Sequence, residues 1–217
     1  MKNYILKNSF ILLSLFLLAS CDLTEDYRGS NDLITLERDL SSFQNIIAED
    51  HMTVNITQGP VQQVSVTTNS NLTENLITRV EDNTLRIDLK NGSYRSTTFI
   101  VDIQIPDLKK LRFDDAVDGE LFLMSEEVTI EMHDAAEIYL MGNADVLNID
   151  MTDASKIFGY EFLANTVNLR SEDASKLEIS VIDLLQGKAT DGSKISYKGN
   201  PTINVKTEDA AKVINEN

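Results

Sequence analysis

The sequence predicts an all-β fold, a β-helix whose short coils stack into a solenoid, and three observations predict it. An aspartate followed by small residues recurs at a near-constant interval in the second half of the chain. Apolar residues flank each copy at every second position, which is the strand period, since alternate side chains of a strand share a face. The first half alternates in the same way between turn residues.

The repeated phrase reads Asp115-Ala116-Val117, Asp134-Ala135-Ala136, Asp153-Ala154-Ser155, Asp173-Ala174-Ser175, Asp191-Gly192-Ser193 and Asp209-Ala210-Ala211, at intervals of 19, 19, 20, 18 and 18 residues. Self-similarity at one period marks stacked units that bury their apolar faces only against their neighbours. Six and four places before the aspartate stand Val128 and Ile130, Leu147 and Ile149, Val167 and Leu169, Ile203 and Val205. Four places after it stand Ile138, Ile157, Leu177, Ile195 and Val213. Each coil is therefore expected to be two short strands joined at a bend, where small residues let the backbone turn. At about 3.3 Å per residue the perimeter is roughly 60 Å, narrow enough for side chains to fill.

Residues 36–113 read as the β-rich N-terminal part of the same domain. The runs 51–57, 61–67, 84–89 and 98–105 alternate, and Gln58-Gly59-Pro60, Glu81-Asp82-Asn83 and Asn91-Gly92 separate them. Asn71 to Arg79 is expected to hold a turn or two of helix. Lys109, Leu111 and Phe113 occupy the offsets of a strand before Asp115, so the solenoid starts ahead of the first phrase. A stack needs its ends covered, and the irregular first half is expected to cover one of them. The expected organisation is a signal segment over 1–20, an acidic tether over 21–35, and one domain over 36–217 whose Asp-Ala-Ser coils occupy 114–217.

The signal segment carries Lys2 and Lys7, an apolar stretch from Phe10 to Leu18, and Ala19-Ser20 before the single cysteine. That order is a charged region, an apolar region and a cleavage site, and the apolar run falls short of the roughly 20 residues a spanning helix needs. Leu18-Ala19-Ser20-Cys21 resembles the lipobox of bacterial lipoproteins, which implies cleavage before Cys21, acylation of that residue and attachment to the membrane. Acids soon after the cysteine resemble the export signal of Bacteroidetes surface lipoproteins, which implies an outer-membrane lipoprotein on the cell surface or the periplasmic face. With one cysteine, no disulfide can form within the chain.

The chain has a formal charge of −16. Removing residues 1–20 takes 19 basic residues to 17 against 35 acids, giving −18. Such a surface repels nucleic acid and anionic headgroups, so neither is an expected partner. An acyl anchor needs no basic patch, because buried methylenes hold it at about 0.8 kcal/mol each.

Several segments resemble one family. They are Phe43-Gln44-Asn45-Ile46, Val54-Asn55-Ile56-Thr57-Gln58-Gly59, the stretch from Asn71-Leu72 to Val80 through Ile87, Ile103 through Leu108, the Asp-Ala-Ser coils, and Tyr197-Lys198-Gly199-Asn200-Pro201-Thr202-Ile203. Over roughly Phe43 to Val213 the chain is similar to the autotransporter-adhesin head domain called the GIN domain, common in Bacteroidetes lipoproteins. It departs at Asn83, where glycine is usual, and at Asp115-Ala116-Val117, where the first coil would carry Gly-Ser or Ala-Ser. The resemblance implies a right-handed β-helix with an adhesive or ligand-binding role, and it brings no catalytic residues.

Stacked coils would place the repeated aspartates within about 5 Å of each other, where like charges repel by roughly 1 kcal/mol per pair. Two readings offset this. In one, Asp134, Asp153, Asp173 and Asp191 bind a hard cation such as calcium. In the other, favoured because the glycine-rich nonapeptide of calcium-binding rolls is missing, each carboxylate accepts hydrogen bonds from the backbone of its own bend. The pairs Asp114/Asp115 and Glu172/Asp173 invite a glycosidase or polysaccharide-lyase reading, but 35 acids make such pairs by chance. His51 and His133 lie too far apart in sequence to argue for a metal pair or a Ser-His-Asp triad. No phosphate-binding loop or other cofactor motif is present. Tyr94, Tyr139, Tyr160, Tyr197, Phe122, Phe158 and Phe162 are either a sugar-stacking strip or core filler, with filler favoured. The expected function is a non-enzymatic module of the cell envelope that binds an extended glycan or a surface protein. The alternatives are a carbohydrate-active enzyme on a β-helix and a periplasmic partner in envelope sensing.

Overall fold

The computed structural model describes residues 25–217. The signal segment and the acylation site expected at Cys21 lie outside the described residues. All regular structure among the described residues is β. The N-terminal part contributes β1 (Asp26–Arg28), β2 (Leu33–Glu37), β3 (Asn45–Ala48), β4 (Thr53–Gln58), β5 (Gln63–Asn69), β6 (Leu76–Glu81), β7 (Thr84–Leu89), β8 (Ser93–Arg95), β9 (Phe99–Ile105) and β10 (Lys110–Phe113). The coils follow as β11 (Asp118–Met132), β12 (Glu137–Met151), β13 (Lys156–Ser171), β14 (Lys176–Ala189), β15 (Lys194–Lys198), β16 (Thr202–Thr207) and β17 (Lys212–Asn215).

Each long strand from β11 to β14 bends midway and so belongs to two faces. The N-terminal halves stack with β4 and β9 on one side and with β15 and β17 on the other. The C-terminal halves stack with β10, β3 and β7 on one side and with β16 on the other. We refer to the stack of C-terminal halves as the first face and that of N-terminal halves as the second. All pairings between coils are parallel, and Asp134, Asp153 and Asp173 occupy adjacent layers, joined by backbone bonds from Ala135 to the Asp153 carbonyl and from Ala154 to the Asp173 carbonyl. This is the β-solenoid that the repeat predicts.

The corners explain the repeat. Each aspartate has φ near +50° and the alanine after it φ near +60°. Two successive positive-φ residues make a type I′ turn, and the turn is closed by the N–H of the third residue bonding to the carbonyl before the aspartate, as from Ser155 to Thr152. Aspartate is among the few side chains that tolerate this conformation. The third residue points inward, so Val117, Ala136, Ser155, Ser175 and Ser193 are all buried. Val117, a departure from the family pattern, is simply a larger inner corner residue. Asn83, the other departure, follows Asp82 in the same conformation and turns β6 into β7.

The predicted aliphatic positions form one core in the inner coils. Val128, Ile138, Leu147, Ile157, Val167 and Leu177 are fully buried, whereas Ile203 in the last coil is 39% exposed, because no further coil covers it.

Two expectations are corrected, and one feature of the topology was not expected. Asn71 to Arg79 holds no helix: turns closed by Leu72 N–H to the Asn69 carbonyl and Asn75 N–H to the Leu72 carbonyl lead into β6, which pairs antiparallel with β7. The acidic segment is not a free tether up to residue 35, since β1 pairs with β8 and β2 with β5. Its polar residues are held by side-chain bonds: Asn69 Nδ2 donates to the Ser30 carbonyl (2.7 Å), Asn71 Nδ2 to the Arg28 carbonyl (2.8 Å), and Ser30 N–H to Asn71 Oδ1 (2.8 Å). The layer of β3 and β4 sits between the layer of β7 and β9 and the layer of β10 and β11, so the chain leaves its first layer and later passes over it.

Candidate functional site

The outer surfaces of the two faces differ in chemistry. On the first face, Asn168 Nδ2 donates to Asn148 Oδ1 and Gln186 Nε2 donates to Asn168 Oδ1, both at 2.8 Å. Asn148 Nδ2 in turn reaches Glu127 Oε1 at 2.9 Å. These amides saturate one another along the stack, a ladder of the kind that ties parallel strands together.

On the second face, outward residues in register run Glu120, Tyr139, Phe158, Glu178 and Ser196. The rings of Tyr139 and Phe158 stack with centroids 5.0 Å apart and planes 24° apart. Tyr139 is 52% exposed. A hollow of about 270 Å³ opens against them, completed by Met141, Tyr160 and Glu161. A second hollow, of about 370 Å³, shares Glu120 and Tyr139 and continues past Asp118 to Asn55. A third, of about 330 Å³ and polar, shares Asn55 and extends to Asp102 and Gln104. The three form a string along the solenoid axis.

A local irregularity shapes the first hollow. The interval from Asp153 to Asp173 is the longest, and its extra residue is absorbed as a bulge that shifts the register after Tyr139 against β13 and after Gly159 against β14. Tyr160 and Glu161 consequently leave the inward alternation together, and Phe162 turns in and is fully buried. A bulge re-aims side chains in this way. Ser180 Oγ donates to the displaced Tyr160 carbonyl at 2.9 Å. Lys198 Nζ lies 4.5 Å from the Tyr160 ring centre and Lys176 Nζ 5.0 Å from that of Phe158. Burial pushes the Tyr160 hydroxyl above its ordinary pKa, against a smaller lowering by Ser196.

The aromatic residues predicted as strip or filler divide accordingly. Phe122, Tyr139, Phe158 and Tyr160 belong to the outer surface, Phe162 and Tyr197 pack with the core, and Tyr94 stacks on Tyr27 and meets Phe99 edge-on in the N-terminal part. Glu120, Met141, Glu161 and Glu178 belong to the site but were not singled out from the sequence.

The repeated aspartates Asp115, Asp134, Asp153, Asp173, Asp191 and Asp209 form an exposed column at the corners. The expectation that each carboxylate accepts bonds from its own bend is corrected, because main-chain bonds close these turns and Asp153 Oδ2 accepts from the Thr152 hydroxyl (2.7 Å) instead. Among the described residues no three of His, Cys, Asp and Glu gather as a metal would require. Asp114 does not act with Asp115: it is buried and held by Arg112 Nε and His133 Nδ1, both at 2.7 Å. Glu172 is likewise engaged by Arg170, while Asp173 is exposed. His51 is exposed and takes no part in the His133 pair.

Residues 42–201 match the family described as "Putative auto-transporter adhesin, head GIN domain". No curated protein matches the chain. Among solved structures, the fold is similar to that of a "putative adhesin" from Bacteroides fragilis, at 18% identity over 87% of this chain and 99% of that one, with a TM-score of 0.68. It is also similar to a "putative adhesin" from Parabacteroides merdae and a "putative lipid binding protein" from Parabacteroides distasonis. Both are 16% identical over 89% of this chain and all of theirs, with TM-scores of 0.59 and 0.58. At these identities the likeness is one of fold.

Proposed function

Because the chain belongs to the auto-transporter adhesin head, or GIN domain, family, we propose that it is a non-enzymatic binding module of the cell envelope, anchored through acylated Cys21, whose second face holds an extended glycan. The observation that carries this reading is the exposed, stacked pair Tyr139 and Phe158 beside connected hollows. Aromatic walls give sugar rings an apolar surface to lie against, and a long solenoid face suits a ligand with repeating units. Membership in a family of adhesin heads supports a surface or envelope role. A binding rather than catalytic role is supported by the engagement of Asp114 and Glu172 by arginines.

Immobilised extended glycans probed with the detergent-solubilised full chain test the reading. Binding is expected, and it is expected to disappear in Tyr139→Ala and Phe158→Ala variants whose circular dichroism is unchanged. Binding that ignores both changes, or no binding to any glycan, would overturn it. For the anchor, Cys21→Ser should release the protein from membranes, and protease treatment of intact cells should separate surface display from a periplasmic position.

A further inference from the structure

We propose that the hollow walled by Tyr139, Phe158 and Tyr160 takes a sugar ring bearing a free ammonium group, as in a chain of deacetylated hexosamine units. The proposal rests on the glycan reading above and adds the charge of the ligand. Among the described residues, the side chains that line this hollow and the one that joins it at Tyr139 include five carboxylates and no basic group, while Lys176 and Lys198 stand over the Phe158 and Tyr160 rings at the wall. Three of the five have partners: Asp118 accepts from the Thr53 hydroxyl at 3.0 Å, Glu137 pairs with Lys156 at 3.0 Å, and Glu178 pairs with Lys176 at 2.5 Å. Glu120 and Glu161 have no side-chain partner among the described residues, and they flank the ring pair.

A neutral sugar pressed against the rings would offer these two carboxylates only uncharged hydroxyl donors, which leave their charge uncompensated, and an acidic sugar would be repelled. An ammonium group compensates both carboxylates and is attracted to the ring faces as well. The wall already makes this interaction with its own side chains, through Lys176 over Phe158 and Lys198 over Tyr160. Behind this wall Ser196, buried and in register with Glu178, lies beside the Tyr160 hydroxyl and helps to position that ring. At about 270 Å³ the hollow is at the small end of ligand sites, which fits one ring, and the adjoining 370 Å³ receives the next.

The test is calorimetric titration of the full chain in detergent with a glucosamine tetramer, its fully N-acetylated counterpart, a glucose tetramer of the same linkage, and tetralysine. The glucosamine tetramer is expected to bind at least about tenfold more tightly than the other two sugars. Glu161→Gln and Glu120→Gln should each weaken it several-fold and reduce its salt dependence, and Tyr139→Ala should abolish it. Asp191→Asn removes a charge at a corner away from the hollow and should change nothing, which separates the site from the general attraction of a chain of charge −16. Equal affinity for the three sugars would sink the ammonium inference and leave the glycan reading standing. No sugar binding at all would sink both, and tetralysine binding as tightly as glucosamine would replace the sugar with a basic protein segment.

Discussion

The two faces of the solenoid are made by the same coils with the same parallel pairing, yet only the first keeps an unbroken register. From β11 to β16 the first face pairs residue for residue, and its amides align. The register shifts between coils fall on the second face and at the bend beyond it, where the 20-residue interval is absorbed. Regularity on one side and irregularity on the other divide the work. The first face holds the stack in alignment, which leaves the second free to bulge and form hollows.

A change that forces the first face out of register is therefore expected to be the most damaging. Gly187 has φ +132°, and a Cβ there would stand 1.9 Å from the Leu169 carbonyl oxygen of the coil below. Gly187→Ala combines backbone strain with a clash against a main-chain atom that cannot swing away, so a loss of about 3 kcal/mol or more is expected in urea unfolding. A loss below about 1 kcal/mol would mean the first face yields as readily as the second.

The outer surfaces supply a gentler contrast. Asn168 both donates and accepts within the ladder, so Asn168→Ala should cost about 1–2 kcal/mol. Tyr139→Ala removes one half-exposed ring and a stacking contact, and should cost less than about 1 kcal/mol while abolishing ligand binding. Equal losses of stability from the two would show that the aromatic pair is structural, and would remove the main reason for placing a ligand there.

Much of this division was legible in the sequence. The corner conformation demands an aspartate and a small residue, and inward positions demand apolar ones, so the period and the core can be read directly. The outer ladders could have been read in the same way, since Tyr139, Phe158, Glu178 and Ser196 all stand five places after an aspartate, and Asn148, Asn168 and Gln186 five places before one. What concealed part of the site was the bulge, which flips the inward parity between Tyr160 and Phe162 and gives no local signal beyond one extra residue. The N-terminal part was harder. Ser30-Asn31-Asp32 has the composition of a linker, and only the amides of Asn69 and Asn71, some forty residues away, hold it in place. The insertion of the β3 and β4 layer between two later ones is set by long-range pairing that no window of sequence contains.

The corners join the two faces, and they carry strain that a substitution can relieve. Ala154 has φ +60°, a conformation that costs a non-glycine residue about 1 kcal/mol. The equivalent position in the next-but-one coil is already Gly192, whose added Cβ would touch nothing. Ala154→Gly exchanges that strain for extra freedom in the unfolded chain, and a net gain of about 0.5 kcal/mol is expected in thermal melts. A loss would show that the alanine methyl packs usefully at the corner.

The smallest effect belongs to the last coil, where both faces end. Glu208 is bonded by Lys206 first and Lys188 second, and these two ammonium groups hold its carboxyl at about 2, against an ordinary value of 4.5. Because the folded value lies below the unfolded one, the stabilisation is complete above about pH 4.5 and is lost as pH falls towards 2. The carboxylate remains open to water, so solvent and salt screen most of it. Melting curves of the wild type and Glu208→Gln should therefore differ only slightly at pH 7 in low salt, and the difference should close as the pH falls from about 4.5 to about 2. The corner at Glu208 precedes Asp209, whose carbonyl accepts the Gly192 N–H of the preceding coil, so amide exchange at Gly192 should quicken over the same interval. Exchange that stays constant across it would place the hold on the final coil in the main-chain ladder alone, with no share for the side chains that bridge β14 and β16.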